Sequence, residues 1–179
     1  MTTNKGKAKE VRKILKGFRV AVKAIELPED HFLSQEKIAA AKARAAFEIV
    51  GKPVVVDDTG FFVDGFKNFP GVRSKAVFKK LGLKGFIKKC GGRKAYALTI
   101  AAFFDGKKLI LFKGVSRGRI SKASSKRLIE GLPYLSCFIP EGSKEIVVNL
   151  PEKKIHEFLV EENHRAKAFK KFGKWFSHR

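Results

Sequence analysis

Cysteine is scarce in this chain. Cys90 and Cys137 are the only two, they stand far apart, and neither belongs to a CxxC pattern. Two reduced thiols are therefore expected, not a disulfide framework. The histidines, His31, His156, His164 and His178, lack the His/Cys spacing of a structural zinc site. Long apolar runs are missing too. The longest, residues 95–104, is interrupted by Tyr96 and Thr99 and is too short to span a bilayer. Met1-Thr2-Thr3-Asn4-Lys5 carries no apolar signal-peptide core. These absences predict a cytoplasmic location with no membrane partner. GxxxxGK[ST] occurs nowhere, which excludes a P-loop.

Acidic residues are few as well. Against 39 Lys+Arg there are 17 Asp+Glu, a net charge of +22 over 179 residues. Such a surface attracts polyanions: nucleic acid, nucleotides, polyphosphate or acidic membrane. It informs about partners and leaves the fold open. Apolar material is ample, at 44% hydrophobic with 17 Phe, so a packed core is expected. Basic residues run from Lys5 to Arg179 with no linker or repeat, which predicts one folded unit over residues 1–179.

The patterning alternates helix and strand. Asn4 can cap a first helix carrying Ala8, Val11, Ile14 or Leu15, and Phe18 at helical spacing. Residues 19–25 (RVAVKAI) alternate like a strand. Ser34 can open a second helix that stops at Gly51. Residues 53–56 form a β-branched run ending in Asp57-Asp58-Thr59-Gly60, and residues 61–66 can continue as a strand. Helical stretches around 74–81 and 85–90 follow, then long strands near 94–104 and 108–116 joined by a hairpin at Asp105-Gly106. Short strands are expected at 137–139 and 146–148. A last helix is expected to carry Phe169, Phe172 and Phe176 on one face. This order points to α/β or α+β with a mixed sheet.

Four places carry chemistry. Asp57 and Asp58 are adjacent carboxylates, which repel unless a cation or basic group lies near them. Two readings are open: Mg²⁺ coordination at the carboxyl end of a strand, or a turn in which Asp58 bonds its own backbone before Gly60. Lys42 falls within the apolar stripe of its helix, at the spacing of Ile38, Ala45 and Ile49. It must snorkel to water or meet an anion such as phosphate. Thr2, Thr3 and Asn4 with Lys5 and Lys7 form either an anion site at a helix start or an ordinary cap. Asn163 can cap the last helix, which leaves His164 and Arg165 in a first turn that disfavours cations. A nearby anion or polar group, or simply Glu161-Glu162, would account for them.

In this order, these segments resemble the inosine triphosphate pyrophosphatase family over essentially the whole chain. TTNKGKAKEV is similar to its [ST]-x-N-x-x-K phosphate loop, and Leu27-Pro28-Glu29 to a segment carrying a metal-binding glutamate. VVVDDTGFFVDGFKNFPGVRS resembles its acidic pair followed by [ST]-G and PGxxS. Asn163-His164-Arg165-Ala166-Lys167-Ala168 is similar to its SHR-x-[KR]-A helix start. The resemblance implies an elongated mixed sheet flanked by helices, two lobes with a central cleft, and a homodimer. It also implies Mg²⁺-dependent hydrolysis of nucleoside triphosphates to monophosphate and pyrophosphate. Glu29 and Asp58 would hold Mg²⁺, and Asp58 would also position or deprotonate the water, with Asp57 beside it. Lys42, Asn4 and Lys7 would clamp the triphosphate, Thr2, Thr3 and Thr59 would touch it, and Tyr134, His164 and Arg165 would lie at the substrate.

The departures concern the base pocket. Where the family reads approximately G-F-G-[YW]-D-P, this chain has Gly131-Leu132-Pro133-Tyr134-Leu135-Ser136. A family lysine that contacts the purine corresponds to Leu159. Polar groups that read a base discriminate strongly and apolar ones weakly, so an altered or relaxed base preference is expected. The short apolar strand that precedes the phosphate loop in the family has no counterpart here. The competing expectation is a catalytically weak or inactive relative that binds nucleic acid through its basic surface.

Overall fold

The computed structural model describes residues 5–27, 33–129 and 132–179. The predicted site residues Thr2, Thr3, Asn4 and Glu29, together with Gly131, lie outside them.

The second helix forms as its caps require. Helix α2 spans Gln35–Val50; the Ser34 hydroxyl accepts from the Lys37 N–H, and Gly51 closes it at φ 65°. Helix α1 spans Lys5–Ile14. Helix α3, Ser74–Cys90, kinks at Gly82, where the expected pair of shorter helices meets. Helix α4 is Glu152–Glu157, followed by a π-helical turn, Phe158–Glu162. Helix α5 is His164–Phe176, capped by the Asn163 side chain, which accepts from the Ala166 N–H.

Among the described residues five strands form the sheet: β1 Val54–Val63, β2 Pro70–Gly71, β3 Lys94–Phe104, β4 Leu109–Ile120 and β5 Phe138–Pro140. Their order is β2-β1-β3-β4-β5. The hairpin at Asp105 forms as expected, with its Oδ1 accepting from the N–H groups of Lys107 and Lys108.

The two faces of the sheet are packed differently. Odd positions of β1 and β3 face α1 and α5 at one end, through Val55, Ala101 and Phe103. At the other end they face α3 and the turn Pro133–Ser136, through Phe61, Val63, Ala95 and Ala97. Even positions Val54, Val56, Ile100 and Ala102 meet Ala39, Ala43 and Ala46 of α2. Helix α5 lies so close to β4 that a Cβ on Gly114 would stand 2.0 Å from the His164 carbonyl oxygen.

Four expectations are corrected. All four strand pairings among the described residues are antiparallel, so the sheet is of the α+β kind where mixed pairing was expected. Residues 19–25, expected as a strand, form none. Within this stretch Val20 packs with α1 and α5, and just beyond it Leu27 packs with α2. Residues 146–148 give a 3₁₀ turn, Val147–Asn149, where a strand was expected. The Asp57-Asp58 turn does not form either. The ladder with β3 runs unbroken from Val54↔Phe104 to Val63↔Ala95 and engages the backbone that a turn would need. Asp57 and Asp58 thus lie mid-strand and not at its carboxyl end.

Candidate active site

Neighbouring residues on a strand point to opposite faces, and this separates the two carboxylates. Asp58 faces α2. Its Oδ1 accepts from Lys42 Nζ at 3.2 Å, with both side chains largely buried. Of the two readings of Lys42, the inward one is realised, with a carboxylate as its partner.

Asp57 faces α1 and α5. Arg165 Nε donates to its Oδ2 at 3.3 Å, and Lys7 Nζ lies 3.6 Å from the same oxygen. Burial alone would push the Asp57 carboxyl up, but Lys7, Arg165 and Lys42 together hold it below the usual carboxylate range. Burial lowers the Lys7 ammonium, and Asp57 partly offsets this. Each carboxylate therefore has its own cation, and the repulsion expected of adjacent acids is relieved on both faces.

Arg165 is wholly buried. Its Nη1 donates to Glu10 Oε2 at 2.6 Å and its Nη2 to Thr59 Oγ1 at 3.2 Å. Glu10 also accepts from Asn163 Nδ2 at 2.6 Å. The anion beside the first turn of α5 is thus Glu10 with Asp57, and not the Glu161-Glu162 pair; Glu161 instead pairs with Lys170.

His164 joins this network to the aromatic side of the site. Its Nδ1 lies 2.6 Å from Thr99 Oγ1, and its Nε2 lies 3.1 Å from the Tyr134 hydroxyl. Thr99 Oγ1 in turn lies 2.8 Å from Thr59 Oγ1, its register partner across β1 and β3. Burial, reinforced by Arg165 and Lys7, drives the His164 pKa well down, so the ring is neutral at pH 7. Burial also raises the Tyr134 phenol, which stays protonated. The Thr59 hydroxyl, expected at the phosphates, donates to Asp57 Oδ2 and sits on the α5 side of the sheet.

The positions that the family resemblance assigns to a base pocket converge. Leu132, Leu135 and Leu159 line one small cavity with Tyr134, His164 and Arg165. Leucines named from scattered segments thus meet around the predicted substrate residues. Among the described residues, no group of three or more His, Cys, Asp or Glu is placed to hold a metal.

Three contributors escape sequence reasoning. Glu10 is the lone acid of α1, KGKAKEVRKI, and that isolation was its only signal. Thr99 is hidden in an apolar strand. Gln35 is buried and donates from Nε2 to the carbonyls of Asp58 at 3.1 Å and Leu98 at 2.9 Å. Gly60 leaves room for that amide: a Cβ there would meet Gln35 Oε1 at 3.0 Å and the Phe62 ring at 2.7 Å.

The sequence matches the Ham1 family over residues 1–175, and the chain belongs to that family. Among its relatives is the dITP/XTP pyrophosphatase of Saccharolobus solfataricus, 33% identical across 98% of this chain and 91% of that protein. The dITP/XTP pyrophosphatase of Methanopyrus kandleri is 36% identical across 98% and 93%. Of solved structures, the Staphylococcus aureus Ham1 protein superposes with a TM-score of 0.72 at 19% identity, covering 99% of this chain and 96% of that one. A Mycobacterium abscessus nucleoside-triphosphatase (dITP/XTP pyrophosphatase) gives 0.64 at 22% identity, covering 87% and 90%. At these identities the structures speak for the fold.

Proposed function

We propose that this protein hydrolyses nucleoside triphosphates to a monophosphate and pyrophosphate, with non-standard purine nucleotides such as dITP and XTP as the substrate class. Full-length kinship to dITP/XTP pyrophosphatases carries this reading. The buried Lys42–Asp58 pair is the local chemistry that supports it. Water adds across the bridge between the α- and β-phosphates. Its oxygen ends on one phosphorus, and the bridging oxygen leaves with the other.

The donor set suits a hard divalent cation. Asp58 offers carboxylate oxygen, and Mg²⁺ takes one or two protein carboxylates beside phosphate oxygens. Asp58, with Glu29 by family resemblance, would hold Mg²⁺, which when bound neutralises charge on the phosphates. Lys42 orients Asp58 and offers a cation to the triphosphate; Lys7 offers a second. Asp58 positions the water and takes its proton. Asp57 anchors Lys7 and Arg165, so its role is positioning.

A changed base preference belongs to this reading. Leu132, Leu135 and Leu159 put apolar surface where the family resemblance expects base-reading polar groups, and an apolar pocket separates bases weakly. The test is pyrophosphate release with Mg²⁺ from dITP, XTP, dUTP and the standard triphosphates. Release from several bases at comparable kcat/KM is expected, and Asp58→Asn should abolish it. No release from any of them by folded protein refutes the proposal.

A further inference from the structure

Helix α2 covers only part of its face of the sheet. Its first residue, Gln35, reaches the Asp58 and Leu98 carbonyls. Beyond it, Phe62, Tyr96 and Arg117 are direct register partners on β1, β3 and β4, and so form one row on that face. The Phe62 and Tyr96 rings are stacked, 4.9 Å apart at 12°. The Arg117 guanidinium sits 5.8 Å from the Tyr96 ring centroid. Lys94 and Arg119 pair in the next row. Both rings are half-buried, and Lys94, Arg117 and Arg119 are exposed.

We propose that this face binds single-stranded nucleic acid, with bases packing on the Phe62–Tyr96 rings and backbone phosphates on Arg117, Arg119 and Lys94. Aromatic rings beside cations on an open sheet face form a platform of the kind that unpaired bases occupy. A duplex keeps its bases stacked inside and cannot use the rings. Charge favours a polyanion over a second copy of this chain. A two-fold contact sets a patch against itself, and this patch carries the exposed cations Lys94, Arg117 and Arg119. Asp64, whose N–H donates to the Lys94 carbonyl, and Glu141, whose N–H donates to the Arg117 carbonyl, are acids beside these rows. This surface would also account for positive charge that the carboxylate site leaves unused, and it stands independently of the hydrolytic activity.

The test is fluorescence anisotropy of the full-length protein with labelled dT20 and with a 20-bp duplex, without Mg²⁺ or nucleotide. Tighter binding of dT20 than of the duplex is expected, weakening steeply with salt. Tyr96→Leu should weaken it about tenfold or more, whereas Tyr96→Phe should bind as the parent does. Arg117→Ala should flatten the slope of log affinity on log salt by roughly 0.7. Unchanged melting temperature and pyrophosphate release would show that the variants are folded. Equal binding of the duplex with no effect of Tyr96→Leu overturns the proposal, as does no binding of dT20. A change of oligomeric state in light scattering with unaltered dT20 affinity also overturns it, and assigns the face to a second copy.

Discussion

Removing the charge of Glu10 tests whether the buried network is held as described. Arg165 has no exposed surface, and two carboxylates serve it, Glu10 at 2.6 Å and Asp57 at 3.3 Å. Glu10→Gln keeps the shape but leaves one carbonyl oxygen to receive both Arg165 and Asn163. Its NH₂ would then face a donor. Losing one partner of a buried ion pair costs about 3–5 kcal/mol. Asp57 remains, so the lower end, about 3 kcal/mol, is expected here. For a chain of this size each kcal/mol lowers Tm by roughly 2–4 °C, which makes the drop roughly 6–12 °C. Urea unfolding at pH 7 should show a matching fall in midpoint with an unchanged m-value. A double change, Glu10→Leu with Arg165→Met, should not regain the loss, because it takes from the buried Asp57 its Arg165 partner. A loss below about 1 kcal/mol for Glu10→Gln would refute the reasoning, because the pair would then be solvent-screened like a surface bridge.

Acid and close packing around α5 test the same structure in three further ways. His164 is held neutral, with its folded pKa well below 6.5. Below pH 6.5 the unfolded chain binds a proton that the folded chain does not, so stability falls with acid by up to about 1.4 kcal/mol per pH unit. His164→Gln should flatten urea stability between pH 6.5 and 5; an unchanged slope sinks this assignment. The depressed Asp57 works in the same direction lower down. Its contribution is present above its unfolded value, near pH 4, and is lost as pH falls through the lower folded one. Gly114→Ala should abolish soluble expression or cost several kcal/mol, because its Cβ meets the backbone of His164 and Ala168 at 2.0 and 2.5 Å. Near-parental melting would mean that α5 does not rest on β4 as described.

Much of the fold was legible where local chemistry decides. Ser34, Gly51 and Asn163 mark helix ends because a side-chain oxygen or a left-handed residue satisfies groups within a few positions. Asp105 marks the hairpin for the same reason. The α3 break falls at Gly82, within the gap expected between two shorter helices. The alternation at 19–25 misled, because it reports half-burial in an extended chain and does not specify a neighbouring strand. Asp57-Asp58-Thr59-Gly60 misled in the opposite way. These are turn formers in isolation, but a ten-residue ladder with β3 outweighs that preference.

The chain by itself determined both ends of α2 and the start of α5, the hairpin, the acidic pair and the family motifs, since each depends on residues close in sequence; the first helix, expected to carry Phe18, instead ends at Ile14. Tertiary structure alone decided which cation meets which acid. Strand register sends Asp57 to one face and Asp58 to the other, and register comes from pairing with β3, some forty residues away. The Arg165–Glu10 contact spans 155 residues. No local preference encodes it; it exists because α1 and α5 pack on the same face of the sheet, where a buried guanidinium is tolerated only with its acids in reach.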